Sequence, residues 1–397
     1  MTVPVLVTDG EQRASLAVVR SLGRAGHECH VVSATGRSLA GASRCSAREH
    51  RLADPLTEPE SFADGVERLV AEHGIAVVLP VTDAGLFALL PRRERLAPAR
   101  LPWPALEVVR AVADKRLVME MAVQAGIGIP GQVVLPDRAA LAALAGDDHL
   151  AFPLILKPAR SVVDGPAGRM KVGVRFVDDR AGLERALVPL PEAAYPVLLQ
   201  QRIVGPGIGV FLLVWQGQTR AVFSHRRLRE KPPSGGVSVY RESIAADPGL
   251  VAKSRGLLDA FGWEGVAMVE YKVDVATGVP YLMEINGRFW GSLQLAVDAG
   301  VDYPRLLVEL ALGRDPGPPP DYRPGVRSRW WWGDADHLLA RLRRSREELS
   351  LAPDAPSLGR AVAEFLVPWK PGDRSEILRL SDPFPFFRET VNWFRGR

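Results

Sequence analysis

Hydrophobic and polar positions alternate most cleanly between residues 266 and 288. Val269, Tyr271, Val273 and Val275 are apolar, and Glu270, Lys272 and Asp274 separate them. Further on, Tyr281, Met283 and Ile285 alternate with Glu284, Asn286 and Arg288. A period of two marks half-buried strands, so the stretch is predicted to be a β-hairpin. Ala276, Thr277 and Gly278 supply a three-residue loop with Gly278 at the left-handed position. That loop sets Glu270 across from Glu284, with Asn286 on the same face two residues on. A two-residue turn would instead pair Glu270 with Ile285 and undo the arrangement.

The N-terminal pattern is of a different kind. A short apolar run at residues 4–8 precedes a helical pattern over about 12–25 and a strand at 29–33. A helix over about 58–73 and a buried-type strand at 76–81 follow. Strand, helix and strand in succession predict a parallel sheet. The first turn reads Thr8-Asp-Gly-Glu-Gln-Arg13 rather than Gly-x-Gly-x-x-Gly, so a dinucleotide fingerprint is absent. Thr82 and Asp83 end the third strand, where open α/β sheets expose ligand-facing residues, although Asp83 reads equally well as a helix cap.

A connection rich in Pro and Arg at 91–104 leads to a helical pattern over about 106–125, which carries Asp114-Lys115 and ends at Gly126. The apolar strand at 152–158 ends on Lys157. An ammonium withdrawn from water is costly unless an anion pairs with it, so either a phosphate meets Lys157 or the side chain emerges into solvent. Residues 159–174, with Ser161, Arg169 and Lys171, could cradle phosphate oxygens on backbone N–H groups or form a surface loop. A second hairpin is centred on Gln216-Gly217, and the cations His225, Arg226, Arg227, Arg229 and Lys231 follow it in a Pro/Gly loop. They read as a solvated run or as an anion site. The aromatic and basic tail, with Trp330-Trp-Trp332 and Phe384-Pro-Phe-Phe387, either covers the core or meets a membrane surface or partner.

Composition narrows the class. A chain of 397 residues with 47% hydrophobic and 24% charged positions has ample core for two or three globular domains. The net charge of +4 is spread among interspersed acids and bases, which suits small anions as well as it suits nucleic acid. No basic stripe is interleaved with stacking aromatics, so nucleic acid is not an expected partner. Only Cys29 and Cys45 are present, without metal-ligand spacing, and no run approaches the roughly 20 apolar residues of a membrane span. Without a signal-peptide pattern, a cytoplasmic location is expected.

Glu270, Glu284 and Asn286 on one face are hard oxygen donors of the kind Mg²⁺ takes, and Arg288 beside them could hold a phosphate oxygen. By pattern alone, the same face could simply be solvated. The residues themselves say more. Met268-Val-Glu-Tyr-Lys-Val-Asp274 followed by Leu282-Met-Glu-Ile-Asn-Gly-Arg-Phe-Trp-Gly-Ser292 resembles the metal-binding end of ATP-grasp enzymes. The nearest branch is the carboxylate–amine ligases, similar to the large chain of carbamoyl-phosphate synthase. The resemblance spans about residues 1–315, with its specific motifs between Asp114 and Ser292.

The resemblance implies an α/β and α+β fold: a parallel-sheet pre-ATP-grasp domain over 1–105, a small lid subdomain over 106–195, a catalytic subdomain over 196–315 and a C-terminal extension over 316–397. It implies ATP and Mg²⁺ (or Mn²⁺) as cofactors, with two ions on Glu270, Glu284 and Asn286. Lys115 and Lys157 would meet phosphates, while Gln200, Gln201 and Ile203 would present the strand end that takes the purine. Arg226, Arg227, Arg229 and Arg288 would line the reaction centre. Gly207 departs from the pattern, standing where related chains carry a ribose-binding Glu. The expected activity is ATP-dependent joining of a small-molecule carboxylate to an amine through an acyl phosphate. A bicarbonate-using, carbamoyl-phosphate-synthase-like reaction and an ATP-binding protein without turnover are the alternatives, and a homo-oligomer stays open.

Overall fold

The structure is a computed structural model that describes residues 2–143, 152–165, 168–352, 355–367 and 370–396. Its first layer is a four-stranded parallel sheet ordered β3-β2-β1-β4, formed by β1 (Pro4–Val7), β2 (Glu28–Ser33), β3 (Ser46–Arg51) and β4 (Val77–Leu79). Helices Arg13–Arg24 and Pro59–His73 flank it. This bears out the expected parallel opening, with one strand more than the pattern predicted. Strand β3 reads Ser-Ala-Arg-Glu-His-Arg and lies on the sheet edge, half in solvent, so it carries no hydrophobic periodicity.

The predicted helix over 106–125 is two helices, Leu106–Ala113 and Lys115–Gln124. Asp114 breaks it by leaving the helical backbone region to become the N-cap of the second, where its carboxylate accepts from Leu117 N–H at 3.2 Å. The break places Lys115 at the head of a new helix instead of on the flank of a long one. Its backbone N–H donates to the Ala159 carbonyl at 2.8 Å, anchoring that helix start to the following sheet.

That sheet is small and antiparallel, ordered β5-β10-β6-β9, from β5 (Gln132–Leu135), β6 (Leu154–Pro158), β9 (Arg175–Val177) and β10 (Val197–Gln201). Between β6 and β9 the strands β7 (Val162–Gly165) and β8 (Gly168–Lys171) make a separate hairpin. Arg169 N–H of that hairpin donates to the Leu56 carbonyl at 3.0 Å, so it rests on the N-terminal layer. The small sheet has its own core, built on Leu135, Leu154, Leu156, Leu183, Leu187 and Leu199.

The central layer is a seven-stranded sheet ordered β15-β14-β11-β12-β13-β16-β17. Its strands are β11 (Gly207–Trp215), β12 (Gln218–Lys231), β13 (Val237–Ser243), β14 (Gly265–Val273), β15 (Pro280–Asn286), β16 (Arg327–Arg329) and β17 (Asp373–Ser375). The run Val210 to Val214 of β11 is covered on both faces, each apolar side chain contributing about 1.5–3 kcal/mol. One continuous core joins this sheet to the parallel layer through the helices Arg13–Arg24, Leu293–Ala299 and Tyr303–Ala311. The expected cationic loop after residue 225 is mostly strand, because β12 runs on to Lys231. The C-terminal residues pack onto the central layer: Trp332 lies against Trp393 with ring centroids 4.2 Å apart, and Trp330 donates to Glu389 at 2.6 Å. Among the described residues no helix is long and apolar enough to cross a membrane.

Candidate active site

The β14–β15 hairpin brings Glu270 and Glu284 directly opposite each other. It reaches that register by a different route from the predicted one. Val273 pairs with Pro280, so residues 274–279 form the loop, and a bulge between Glu270 and Tyr271 restores the pairing. Asp274 closes the loop by accepting from the backbone of Ala276 and Thr277 at 2.9 Å each, and Gly278 sits at φ 71° as expected.

Around the two carboxylates the charges are paired one by one. Arg227 Nη2 donates to Glu270 Oε2 at 2.5 Å, and its Nη1 donates to Glu230 at 2.8 Å. Lys115 Nζ lies 3.7 Å from Glu284 Oε2 and donates to Ser161 Oγ at 2.8 Å. Asn286 Nδ2 donates to Glu284 Oε1 at 3.0 Å, and Arg288 Nη2 donates to Asn286 Oδ1 at 3.2 Å. Arg288 Nε in turn donates to Asp83 Oδ2 at 2.9 Å. Asp83 therefore faces the site, while Thr82 is the helix cap, accepting from Gly85 N–H.

These surroundings set the protonation states. Burial would raise the Glu284 carboxyl, but Lys115, the Asn286 N–H and Lys157 together hold it at about 2. Burial raises the pKa of Glu270 despite Arg227, and the charge of Glu284 adds to the rise. Lys157, half-buried on β6, is pushed down to about 8 by burial, against the pull of Glu284. An ammonium held in so poor a solvent has much to gain from an anion.

Two cavities meet at this hairpin. The smaller, about 500 Å³, is lined by Lys157, Gln200, Gln201, Ile203, Arg227 and Glu270, with Ile155, Phe176, Met268 and Met283 as apolar wall. The larger, about 1350 Å³, is lined by Lys115, Arg160, Ser161, Arg169, Lys171 and Asp83. Arg13, Glu284, Asn286 and Arg288 line both. The smaller cavity has the size and the mixture of apolar walls with a few polar groups that a nucleotide site needs.

Most residues singled out in the sequence converge here, but two of the arginines do not. Arg226 points to the other face of β12, where its guanidinium forks onto Glu242 Oε2 at 2.9 and 2.7 Å. Strand alternation is the reason: adjacent side chains face opposite ways, so Arg226 and Arg227 cannot share a site. Arg229 is likewise spent on Asp334, two bonds of 2.7 Å. His225 lies against the ring of Phe211, its two nitrogens without a hydrogen-bond partner among the described residues, and burial drives its pKa well below the ordinary value. It packs as a neutral ring.

Sequence reasoning missed Arg13, Met268 and Met283. Arg13 follows β1 at the ligand-facing end of a parallel sheet, a position that could have flagged it. It is held by Glu376 at 2.7 Å and stacks on Trp330 at 3.8 Å, both from the C-terminal region. No signal marked the methionines, which read as core.

A donor set of two carboxylates and an amide, buried and ringed by cations, fits a hard divalent ion carrying phosphates. Asn286 would have to turn its amide over to offer oxygen beside Glu284, an exchange of two nearly isosteric ends.

The three layers and the metal-type hairpin give the chain an ATP-grasp fold. Over residues 194–332 the chain matches the family described as "ATP-grasp in the biosynthetic pathway with Ter operon". No curated protein matches it in sequence. Among solved structures it is similar to an L-amino acid ligase from Bacillus licheniformis, with a TM-score of 0.60, 21% identity, and 78% of this chain and 74% of that one covered. It is also similar to an ADP complex of the N5-carboxyaminoimidazole ribonucleotide synthetase purK, with a TM-score of 0.62, 16% identity and coverage of 81% and 80%. A third is a biotin carboxylase domain of 2-oxoglutarate carboxylase from Hydrogenobacter thermophilus, in complex with MgADP, ADP and bicarbonate. Its TM-score is 0.61, at 17% identity and coverage of 82% and 73%. At these identities the likeness is one of fold.

Proposed function

We propose that the protein is an ATP- and Mg²⁺-dependent ligase that joins a carboxylate to an amine through an acyl phosphate, releasing ADP and phosphate. One observation carries this reading: Glu284, Asn286 and Arg288 stand in the wall common to both cavities. A nucleotide in the smaller cavity, its base against Ile155, Phe176 and Met268 beside the end of β10, would point its phosphates past Lys157 toward that wall. An acceptor in the larger cavity would meet the terminal phosphate there.

Chemistry at the wall is charge management. Lys157, Lys115 and Arg288 would bind the phosphate oxygens and hold charge as it moves. Mg²⁺ on Glu270, Glu284 and Asn286 would supply further neutralisation of the transferring phosphoryl group. A carboxylate oxygen would attack the γ-phosphorus as ADP leaves. The amine nitrogen would then attack the acyl carbon, expelling phosphate and giving up its proton. The hairpin of β7 and β8, resting on the N-terminal layer, would keep water from the acyl phosphate. The roughly threefold larger second cavity favours an organic carboxylate over bicarbonate.

The test is product analysis with Mg-ATP, pooled amino acids and small carboxylates, with and without hydroxylamine. ADP, phosphate and a hydroxamate are expected, and subdividing the pool identifies the carboxylate. AMP and pyrophosphate would mean adenylation and overturn the reading.

A further inference from the structure

Three of the chain's seven histidines meet on the N-terminal layer. His30 comes from β2, His50 from β3 and His73 from the last residue of helix Pro59–His73. His30 is buried and the other two are half-buried. One ring nitrogen from each lies within 4.8 Å of the other two. The rings are in mutual contact, with centroid separations of 5.2, 4.7 and 5.0 Å. None of the three lines either cavity of the active site.

The tautomers follow from the partners. Glu28 Oε1 lies 3.2 Å from His30 Nε2, so that nitrogen carries a proton and donates it. His30 Nδ1 is then a lone pair turned into the cluster, 3.0 Å from His50 Nε2. A carboxylate holding the far nitrogen of an imidazole, so that the near one is a fixed acceptor, is how metal-binding histidines are oriented. Burial lowers the pKa values of His30 and His50, which keeps their rings neutral at physiological pH. Tetrahedral zinc with bonds of about 2.0–2.1 Å holds its ligand nitrogens about 3.3 Å apart. The His30–His50 pair is already close to that spacing, at 3.0 Å, and all three donor atoms lie within 4.8 Å of one another.

We propose that His30, His50 and His73 form a second metal site, for Zn²⁺, distinct from the oxygen-donor site of the hairpin. Three neutral imidazoles suit zinc over magnesium, with a water completing the tetrahedron. On binding, His50 passes its Nε2 proton to Nδ1, which leaves Nε2 free to ligate. The ion would tie β2, the polar edge strand β3 and the end of helix Pro59–His73 together.

Zinc titration of the metal-stripped full chain, in excess Mg²⁺, tests this by calorimetry and thermal melting. One equivalent at micromolar affinity or tighter, with a raised Tm, is expected for the wild type. His50→Ala and His73→Ala, both at half-exposed positions, should each weaken binding at least tenfold, and Glu284→Gln should leave it unchanged. Co²⁺ in place of zinc should give the intense visible bands of a tetrahedral ion in wild type and lose them in His50→Ala. Absence of zinc binding, or binding that persists in both histidine variants or vanishes in Glu284→Gln, would overturn the proposal.

Discussion

Lys157 makes the charge reading quantitative. Its ammonium is held at about 8, against an ordinary 10.5, by burial in a cleft where Glu284 only partly compensates. A bound phosphate would restore at least the ordinary value, since an opposite charge in contact favours the charged form. The bound state then holds more protons than the free state between pH 8 and 10.5. Affinity is therefore fully present below the free pKa and declines as pH rises through that window. The interval of 10.5 − 8 corresponds to a loss of about 300-fold in all, and about fifteenfold of it falls between pH 8.0 and 9.5.

The assay is calorimetric titration of Mg-ADP at half-unit steps from pH 8.0 to 9.5, in buffers of different ionisation enthalpy. Nucleotide phosphates are already fully ionised there and do not contribute. The wild type should take up nearly one proton per nucleotide at pH 9. Lys157→Arg keeps its charge throughout and should bind with little pH dependence. Lys157→Met should bind weakly and equally flatly. Wild-type affinity that stays level from pH 8.0 to 9.5 would refute a desolvated lysine facing the phosphates.

Other expectations follow from the same geometry. Glu284→Gln should lower ADP formation more than about 100-fold and also lower the melting temperature, because Lys115 and Lys157 lose the carboxylate they face; an active variant would remove Glu284 from the metal set. Arg227→Ala leaves Glu270 and Glu230 unpaired in a buried setting and should cost about 3–5 kcal/mol of stability, whereas Arg226→Ala breaks a half-exposed pair worth about 1 kcal/mol or less. Denaturant unfolding and steady-state rates of both variants check this, and equal effects would contradict the placement of the two arginines on opposite faces. Glu389 is pushed up to about 7 by burial, against the Trp330 N–H. Its folded pKa lies above its unfolded one, so its share of stability is complete below about 4.5 and is lost as pH rises through about 7. The melting temperature should thus fall from pH 5.5 to 8 in the wild type and less so in Glu389→Gln.

Legibility in the sequence followed periodicity and failed where tertiary context decides. The β14–β15 hairpin could be read because one face is buried, and a wrong register would have turned Glu284 into the core. The loop that sets the register was misjudged, since the compensating bulge leaves no mark in the residue pattern. Strand β3 was invisible because an edge strand with a polar face needs no alternation. The break at Asp114 was hidden in a good helical pattern, and only the Asp-Lys pair hinted at it. Arg226 shows the opposite failure, where a basic run looked like a loop and its residues were assigned to one site. Once β12 is a strand, alternation turns Arg226 away from Arg227, and the bulge between Arg227 and Arg229 lets Arg229 leave for Asp334.

What ties the molecule together is the chain of charges running from Asp83 through Arg288, Asn286 and Glu284 to Lys115. Asp83 belongs to the parallel layer, the next three to the central sheet, and Lys115 to the helix anchored on the small sheet. All three layers thus contribute to a continuous network, and none of them could complete it alone. Lys115 and Arg227 pair with the two carboxylates on which a divalent ion would sit in the proposed reaction. Binding Mg²⁺ and phosphates would exchange these partners: cations released from Glu284 and Glu270 become available to the incoming oxygens. The same exchange gives Asp83 a functional consequence, because Asp83→Asn would free Arg288 from its anchor in the parallel layer. Activity should then fall through a rise in KM for the acceptor or a drop in kcat, with nucleotide affinity nearly unchanged. A variant whose kcat and acceptor KM both stay at the wild-type values would break this account of how the two cavities are coupled.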